Sequence, residues 1–181
     1  AYELDQQAPV GKRVKAHNSG NAPWMCNSCI YDIYEDSKQN LWFATRGGVS
    51  MRAADCTPVR IDSLKVGGVA IQDMVAMQLT EGGNGEMWMA SNTHGVVRIQ
   101  GSGHSLNGYT LSAYSVVNGK LNSNYADCIY KDIEGRIWVG TGGSGLSLYD
   151  AVEDRFLPVH QLWNLPGDAV TSIQSDKQGE L

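Results

Sequence analysis

Apolar and polar residues alternate along this chain in short runs of about five or six, the period of half-buried β-strands. No stretch carries the three-to-four residue period of an amphipathic helix. One run recurs almost unchanged. Leu41-Trp42-Phe43-Ala44-Thr45 returns as Met87-Trp88-Met89-Ala90-Ser91 and as Ile137-Trp138-Val139-Gly140-Thr141, with tryptophan spacings of 46 and 50 residues. The flanks recur as well. Ile30 to Asp36 precedes the first tryptophan and Ala126 to Asp132 the third, each with an aspartate six residues before the tryptophan. Val170 to Asp176 is a further copy, followed by Lys-Gln-Gly-Glu-Leu181. A glycine-containing turn and a second apolar strand follow each tryptophan strand, at Gly47–Met51, His94–Ile99 and Ser144–Asp150.

Each unit thus predicts four strands. An inner strand comes first, then a polar turn at Asp36–Asn40 or Asp132–Gly135, then the tryptophan strand and the strand after the glycine turn. Thr57–Ile61, Thr110–Tyr114 and Arg155–Val159 read as outer strands. The second unit departs from the pattern. Glu81-Gly82-Gly83-Asn84-Gly85 carries no aspartate six residues before Trp88, which predicts a longer or looser hairpin there. Strand-rich repeats of 40–50 residues are the signature of β-propeller blades. The fold class expected is all-β, with three near-complete four-stranded antiparallel blades plus partial ones. The divisions are 28–62, 69–115 and 124–160 for the blades, 1–17 for the end of a preceding blade, and 168–181 for the start of a following one.

The repeat resembles the two-component regulator propeller repeat. The best copy is Asn118-Gly119-Lys120-Leu121-Asn122-Ser123-Asn124, then Ile129 to Thr141, then Gly145 to Asp150. The resemblance implies a part of a seven-bladed propeller, often one of two in tandem. It also implies the periplasmic sensor region of an inner-membrane-anchored histidine kinase, commonly a hybrid kinase, in a family where many members detect oligosaccharides. No kinase or receiver motif occurs in these 181 residues.

Three units and two partial ones fall short of a closed ring of 4–8 blades, so the chain is expected to be a segment of a larger propeller. The alternative is a ring closed through a shared blade, with Ala1–Leu4 and Arg13–His17 completing Ala169–Ser175. The tryptophans are expected between blades. Burying one removes roughly 150–250 Å² from water, worth about 4–6 kcal/mol. An open arc is therefore expected to pair with the remaining blades or with itself.

Charge narrows the list of partners. Lys and Arg total 14 against 19 Asp and Glu, a net charge of −5, and the only basic cluster is Lys12, Arg13, Lys15. Nucleic acid, which needs a basic surface, is not expected. No run reaches the roughly 20 apolar residues that span a bilayer, and Ala1–Pro9 lacks the features of a signal peptide.

Candidate chemistry is sparse. G-x-S-x-G, H-E-x-x-H and P-loop motifs are missing, and Gly142-Gly143-Ser144-Gly145 joins two strands and opens no helix. Cys26-Asn-Ser-Cys29 has the spacing of a dithiol or half a zinc site, but no second pair exists and Cys29 leads into a strand. It reads as unpaired cysteines, with a disulfide or redox pair as the alternative. His17, His94, His104 and His160 show no metal-ligand spacing, and no cofactor is expected. The recurring Asp36, Asp132 and Asp176 read as turn formers that bond their own backbone.

A ligand is expected at the face formed by the links into the inner strands and the turns after the tryptophan strands. Those segments offer Trp24, Arg46, Asn92, His94, Asn122, Asn124 and Tyr125. Aromatic faces, amides and one cation suit a sugar. Asn122 and Asn124 have a second reading, as residues that simply shape their loop. A non-catalytic oligosaccharide sensor leads, ahead of a protein-interaction propeller and a carbohydrate-active propeller enzyme.

Overall fold

The computed structural model describes residues 2–4, 14–16, 20–59, 61–159 and 167–181. In chain order the strands are β1 (Tyr2–Leu4), β2 (Val14–Ala16), β3 (Ile30–Glu35), β4 (Leu41–Thr45), β5 (Gly48–Arg52), β6 (Pro58–Val59), β7 (Lys65–Val66), β8 (Val69–Ala70), β9 (Ala76–Glu81), β10 (Met87–Ser91), β11 (Gly95–Gly101), β12 (Tyr109–Tyr114), β13 (Ala126–Lys131), β14 (Ile137–Thr141), β15 (Gly145–Asp150) and β16 (Arg155–Pro158). Three antiparallel meanders follow, β3-β4-β5-β6, β9-β10-β11-β12 and β13-β14-β15-β16, each a four-stranded blade. Two ribbons, β1-β2 and β7-β8, stand apart from them. The β7-β8 ribbon takes up Val69 and Ala70, so the second blade's sheet itself begins at Ala76. No helix among the described residues is long and apolar enough to cross a membrane. Lys12, Arg13, His17, His160 and most of the 1–17 segment lie outside the described residues.

The first hairpin of each blade shows how the sequence sets the register. Glu35 faces Leu41, Glu81 faces Met87 and Lys131 faces Ile137, so all three hairpins enclose the same number of residues. In the first, Asp36 Oδ1 accepts the backbone N–H groups of Lys38 and Asn40, while Oδ2 accepts the indole N–H of Trp42 at 2.8 Å. Asp132 does the same for Glu134, Arg136 and Trp138. Asp176 repeats the turn bonds with Gln178 and Glu180.

The second hairpin is not longer or looser, contrary to the expectation from its missing aspartate. Glu86 supplies the carboxylate from the other side of the turn: Oε1 accepts the Trp88 indole at 3.0 Å and Oε2 accepts the N–H of Asn84. A Cβ on Gly82 would lie 2.1 Å from Glu86 Oε1. The glycine is what leaves room for the exchange.

The blades stack face to face. Trp42, Val49 and Met51 meet Met87, Met89, Val97, Ile99 and Tyr109 in one core. Trp88, Val96 and Tyr114 meet Ile129, Ile137, Val139 and Phe156 in the next. The middle tryptophan strand, β10, therefore presents Met87 and Met89 to one core and Trp88 and Ala90 to the other, the period-two consequence of a pleated sheet. Polar stitches cross these cores. Asp32 Oδ2 accepts the N–H of Leu79 and Gln78 Oε1 accepts that of Ile129, both at 2.9 Å, from equivalent positions on adjacent inner strands. Ser37 donates from its N–H and its hydroxyl to the buried Glu81 carboxylate. At the outer side, Arg98 lies over the rings of Trp88, Tyr114 and Tyr149 and donates to the Tyr149 hydroxyl, while both tyrosines donate to Asp154. Ile33 is 51% exposed where its counterparts Leu79 and Ile129 are 2% and 1% exposed. No described sheet covers that side of the first blade.

Candidate ligand-binding face

The link into each inner strand and the turn after each tryptophan strand meet at one end of their blade. The N–H of Arg46 donates to Cys29 O, that of Val75 to Thr93 Oγ1, and that of Gly142 to Tyr125 O. The turns also reach the link of the following blade. Gly95 N–H donates to Asn124 O, and Gly145 N–H to Asp168 O. Gly48, at φ +87°, approaches the carbonyl of Ile71 so closely that a Cβ would sit 2.2 Å from its oxygen. Glycine is required there by both its backbone angle and the contact. The links and turns thus form one continuous face across three blades.

All seven residues expected from the sequence are on this face, but the structure does not gather them into one pocket. Trp24 packs its ring against Phe43, with centroids 5.4 Å apart. Arg46 is exposed and close enough to Tyr31 to act on its ionisation. Asn92 is half-buried in its turn. His94 Nδ1 sits 2.8 Å from Thr93 Oγ1. Asn122 is exposed, and its carbonyl accepts the Ser144 hydroxyl. Asn124 Oδ1 accepts the N–H of Val116 at 3.0 Å, a loop-shaping bond, and its side chain shares a cavity with His94. Tyr125 is 64% exposed.

The structure adds residues that the sequence reading missed. Each inner strand has a register shift at the same place, leaving Tyr31, Met77 and Asp127 without a partner across the sheet. A bulge of this kind re-aims a side chain and is common beside binding sites. Desolvation by burial holds the Asp127 carboxyl above its ordinary range, and a Cβ on Gly142 would lie 2.8 Å from its Oδ2. The neighbouring Cys29 side chain, first by hydrogen bonding and then electrostatically, holds the Tyr31 phenol above its ordinary value, partly offset by Arg46. The three bulge residues differ in chemistry, so aligning the repeats gives no sign of them; the extra residue shows only in the pairing of the strands.

The four cysteines are free, so the disulfide alternative for Cys26 and Cys29 is not realised. Cys26 instead donates its thiol to Val49 O and accepts from the Ser50 hydroxyl. Among the described residues, no three His, Cys, Asp or Glu side chains are placed to hold a metal ion.

The sequence matches the two component regulator propeller family at residues 25–47 and 120–143. No curated protein matches significantly. Among solved structures, the fold is similar to a B. thetaiotaomicron protein named as the extracellular domain of a hybrid two component system. That match has a TM-score of 0.76 at 20% identity and covers 97% of this chain and 24% of that one. A second such domain from the same organism gives a TM-score of 0.68 at 19% identity, covering 99% of this chain and 25% of the other. Virginiamycin B lyase from Staphylococcus aureus gives 0.57 at 12% identity, covering 85% and 46%. The chain thus spans about a quarter of the length of the extracellular domains it is similar to. At these identities the likenesses show the propeller-type fold.

Proposed function

From the two segments that match the two component regulator propeller family, we propose that the chain is a ligand-sensing propeller segment of a two-component sensor, non-catalytic in itself. On this reading it lies in the periplasm, its parent protein is anchored in the inner membrane, and binding of an oligosaccharide passes a conformational signal to a histidine kinase outside this chain. The remaining blades of the parent complete its propeller. One observation carries the proposal: the two ends of the blades are chemically unlike. At the hairpin end Asp36, Glu86 and Asp132 are committed to turns and tryptophans. At the other end Tyr125, Arg46 and Asn122 are exposed, and Asp127 has its carboxyl partly desolvated. Aromatic faces stack on sugar rings, while amides, a guanidinium and a carboxylate bond to hydroxyls.

Titration calorimetry against an oligosaccharide library tests this, with Tyr125→Ala and Arg46→Ala beside the unchanged chain. Saturable binding that weakens about tenfold or more in either variant is expected, the loss of one good contact. Binding that neither variant alters would move the site off this face. Capture of a protein partner on the same face, with no sugar bound, would favour an interaction platform, and turnover of a glycan would overturn the non-catalytic reading.

A further inference from the structure

A cavity of about 200 Å³ opens on the same face, between the β7-β8 ribbon and the second blade. Its walls are Val66, Val69, Met74, Val97, Ala113 and Val117. Among the described residues no Asp, Glu, Lys or Arg lines it, and its polar side chains are His94, Ser115, Asn118 and Asn124. Two of these are committed to the turn that follows β12. Asn118 Oδ1 accepts the N–H of Ser115 and Nδ2 donates to Ala113 O. The Ser115 hydroxyl points to the same Asn118 oxygen.

The other two keep a donor in reserve. Asn124 spends Oδ1 on the N–H of Val116, and its Nδ2 has no partner among the described residues. For His94, the local hydrogen bonds set the tautomer. Ser91 Oγ accepts the N–H groups of Thr93 and His94, so its own proton goes to Thr93 Oγ1. That oxygen also accepts the N–H of Val75, which directs the Thr93 proton to His94 Nδ1. The neutral ring then carries its proton on Nε2, where no acceptor among the described residues meets it.

A pocket with apolar walls, no charged side chain among the described residues, and Asn124 and His94 in its lining with a donor each to spare suits a small neutral group that is apolar at one end and carries a hydrogen-bond acceptor. The volume is well above the roughly 10–15 Å³ that one water needs. It is below the roughly 300–1,000 Å³ of pockets that take a whole small molecule. It fits one substituent of a larger ligand. A bare sugar hydroxyl gains nothing from the valines, and a carboxylate or sulfate meets no cation. The geometry points to a subsite for the acetamido group of an N-acetylated sugar, its methyl among Val69, Met74 and Val97 and its carbonyl accepting from Asn124 Nδ2 and His94 Nε2. This rests on the oligosaccharide reading and narrows it to acetylated hexosamines.

The test follows methyl resonances of the valines and methionines while the chain is titrated with N,N′-diacetylchitobiose or with cellobiose, which has the same linkage without acetamido groups. Shifts at Met74, Val97 and Val69 are expected with the first sugar and not the second. Asn124→Asp keeps the oxygen that holds Val116 and removes the Nδ2 donor, and Val69→Trp fills the cavity. Each should weaken diacetylchitobiose about tenfold or more. Equal shifts with cellobiose, or full affinity in both variants, overturn the proposal. If sugars bind but move only resonances elsewhere on the face, the acetamido subsite fails and the oligosaccharide reading stands. If no oligosaccharide moves any resonance, both fall.

Discussion

The indole N–H of Trp138 donates to Oδ2 of Asp132 at 2.8 Å, across six residues of sequence, while Oδ1 of the same carboxylate closes the hairpin between them. The bond ties the shape of an exposed turn to the position of a side chain buried at 3% exposure. Trp42 and Asp36 stand in the same relation.

Replacing either aspartate by asparagine should therefore cost more than a surface turn would suggest. The amide oxygen can still close the turn, but an NH₂ group then confronts the indole donor and, at Asp132, the Arg136 guanidinium that also bonds this carboxylate. About 2–3 kcal/mol is expected for Asp132→Asn, read by urea unfolding. The pH dependence follows from the same geometry. Burial would raise both carboxyls, but the bonds from the indoles, the turn N–H groups and the neighbouring side chains outweigh it and hold both below the ordinary range. A folded value below the unfolded one, near 3.9, means that the stabilisation is complete above about pH 4. It is lost as pH falls through the folded values. The Asp132→Asn chain should lack that part of the acid transition.

The second blade offers a swap. Gly82→Asp alone rebuilds the common residue but drives its Cβ into Glu86 and to within 2.8 Å of Trp88 Nε1. It should destabilise the chain. Adding Glu86→Asn, the residue found at the matching position 40 of the first blade, removes the obstruction and should restore most of the loss. A double-mutant cycle should give a coupling of about 1–3 kcal/mol in favour of the pair. Additive costs would mean that the two carboxylates are not interchangeable.

Gly140 occupies the position of Ala44 and Ala90 in the other tryptophan strands. Here a Cβ would lie 2.5 Å from Cys128 Sγ and 2.5 Å from the carbonyl of Val170. That carbonyl belongs to the segment held by Val170 N–H to Thr141 O and by Gly145 N–H to Asp168 O. Gly140→Ala should push this segment off the third blade at a cost of about 1–3 kcal/mol. Hydrogen exchange should show early loss of protection at the Gly145 and Val170 amides, with the second blade unchanged.

What the sequence disclosed follows from how often each feature repeats. The tryptophan strands and glycine turns occur three times, and their spacing alone gives the blades. The hairpin of the second blade was misread because its carboxylate moved from one side of the turn to the other. Counting back from Trp88 finds Gly82, whereas the acid is two residues before the tryptophan at Glu86. The β7-β8 ribbon was missed because two-residue strands around Gly67 and Gly68 carry no periodicity. Of the face, the exposed turn residues were legible. The bulged Tyr31, Met77 and Asp127 were not, because a register shift is a property of the paired strand and leaves no mark in one strand's own pattern.

Asp127 lets stability and the proposed binding be tested on one residue. Its carboxyl is partly desolvated, and none of the neighbouring groups offsets the cost, so its proton is held more tightly in the folded chain than in the unfolded one. A raised folded value means that the charged group costs stability above that value, and that the cost disappears as pH falls below the unfolded value, near 3.9. Asp127→Asn should therefore leave the chain as stable or slightly more stable at pH 7, and no different near pH 3. If the carboxylate is there to accept sugar hydroxyls, the same variant should bind oligosaccharide more weakly, the opposition expected when a strained group serves a site. Thermal unfolding at the two pH values, beside titration calorimetry at pH 7, separates the outcomes. Loss of stability at pH 7 would show that Asp127 is a structural residue. Gained stability with full affinity would remove it from the binding face.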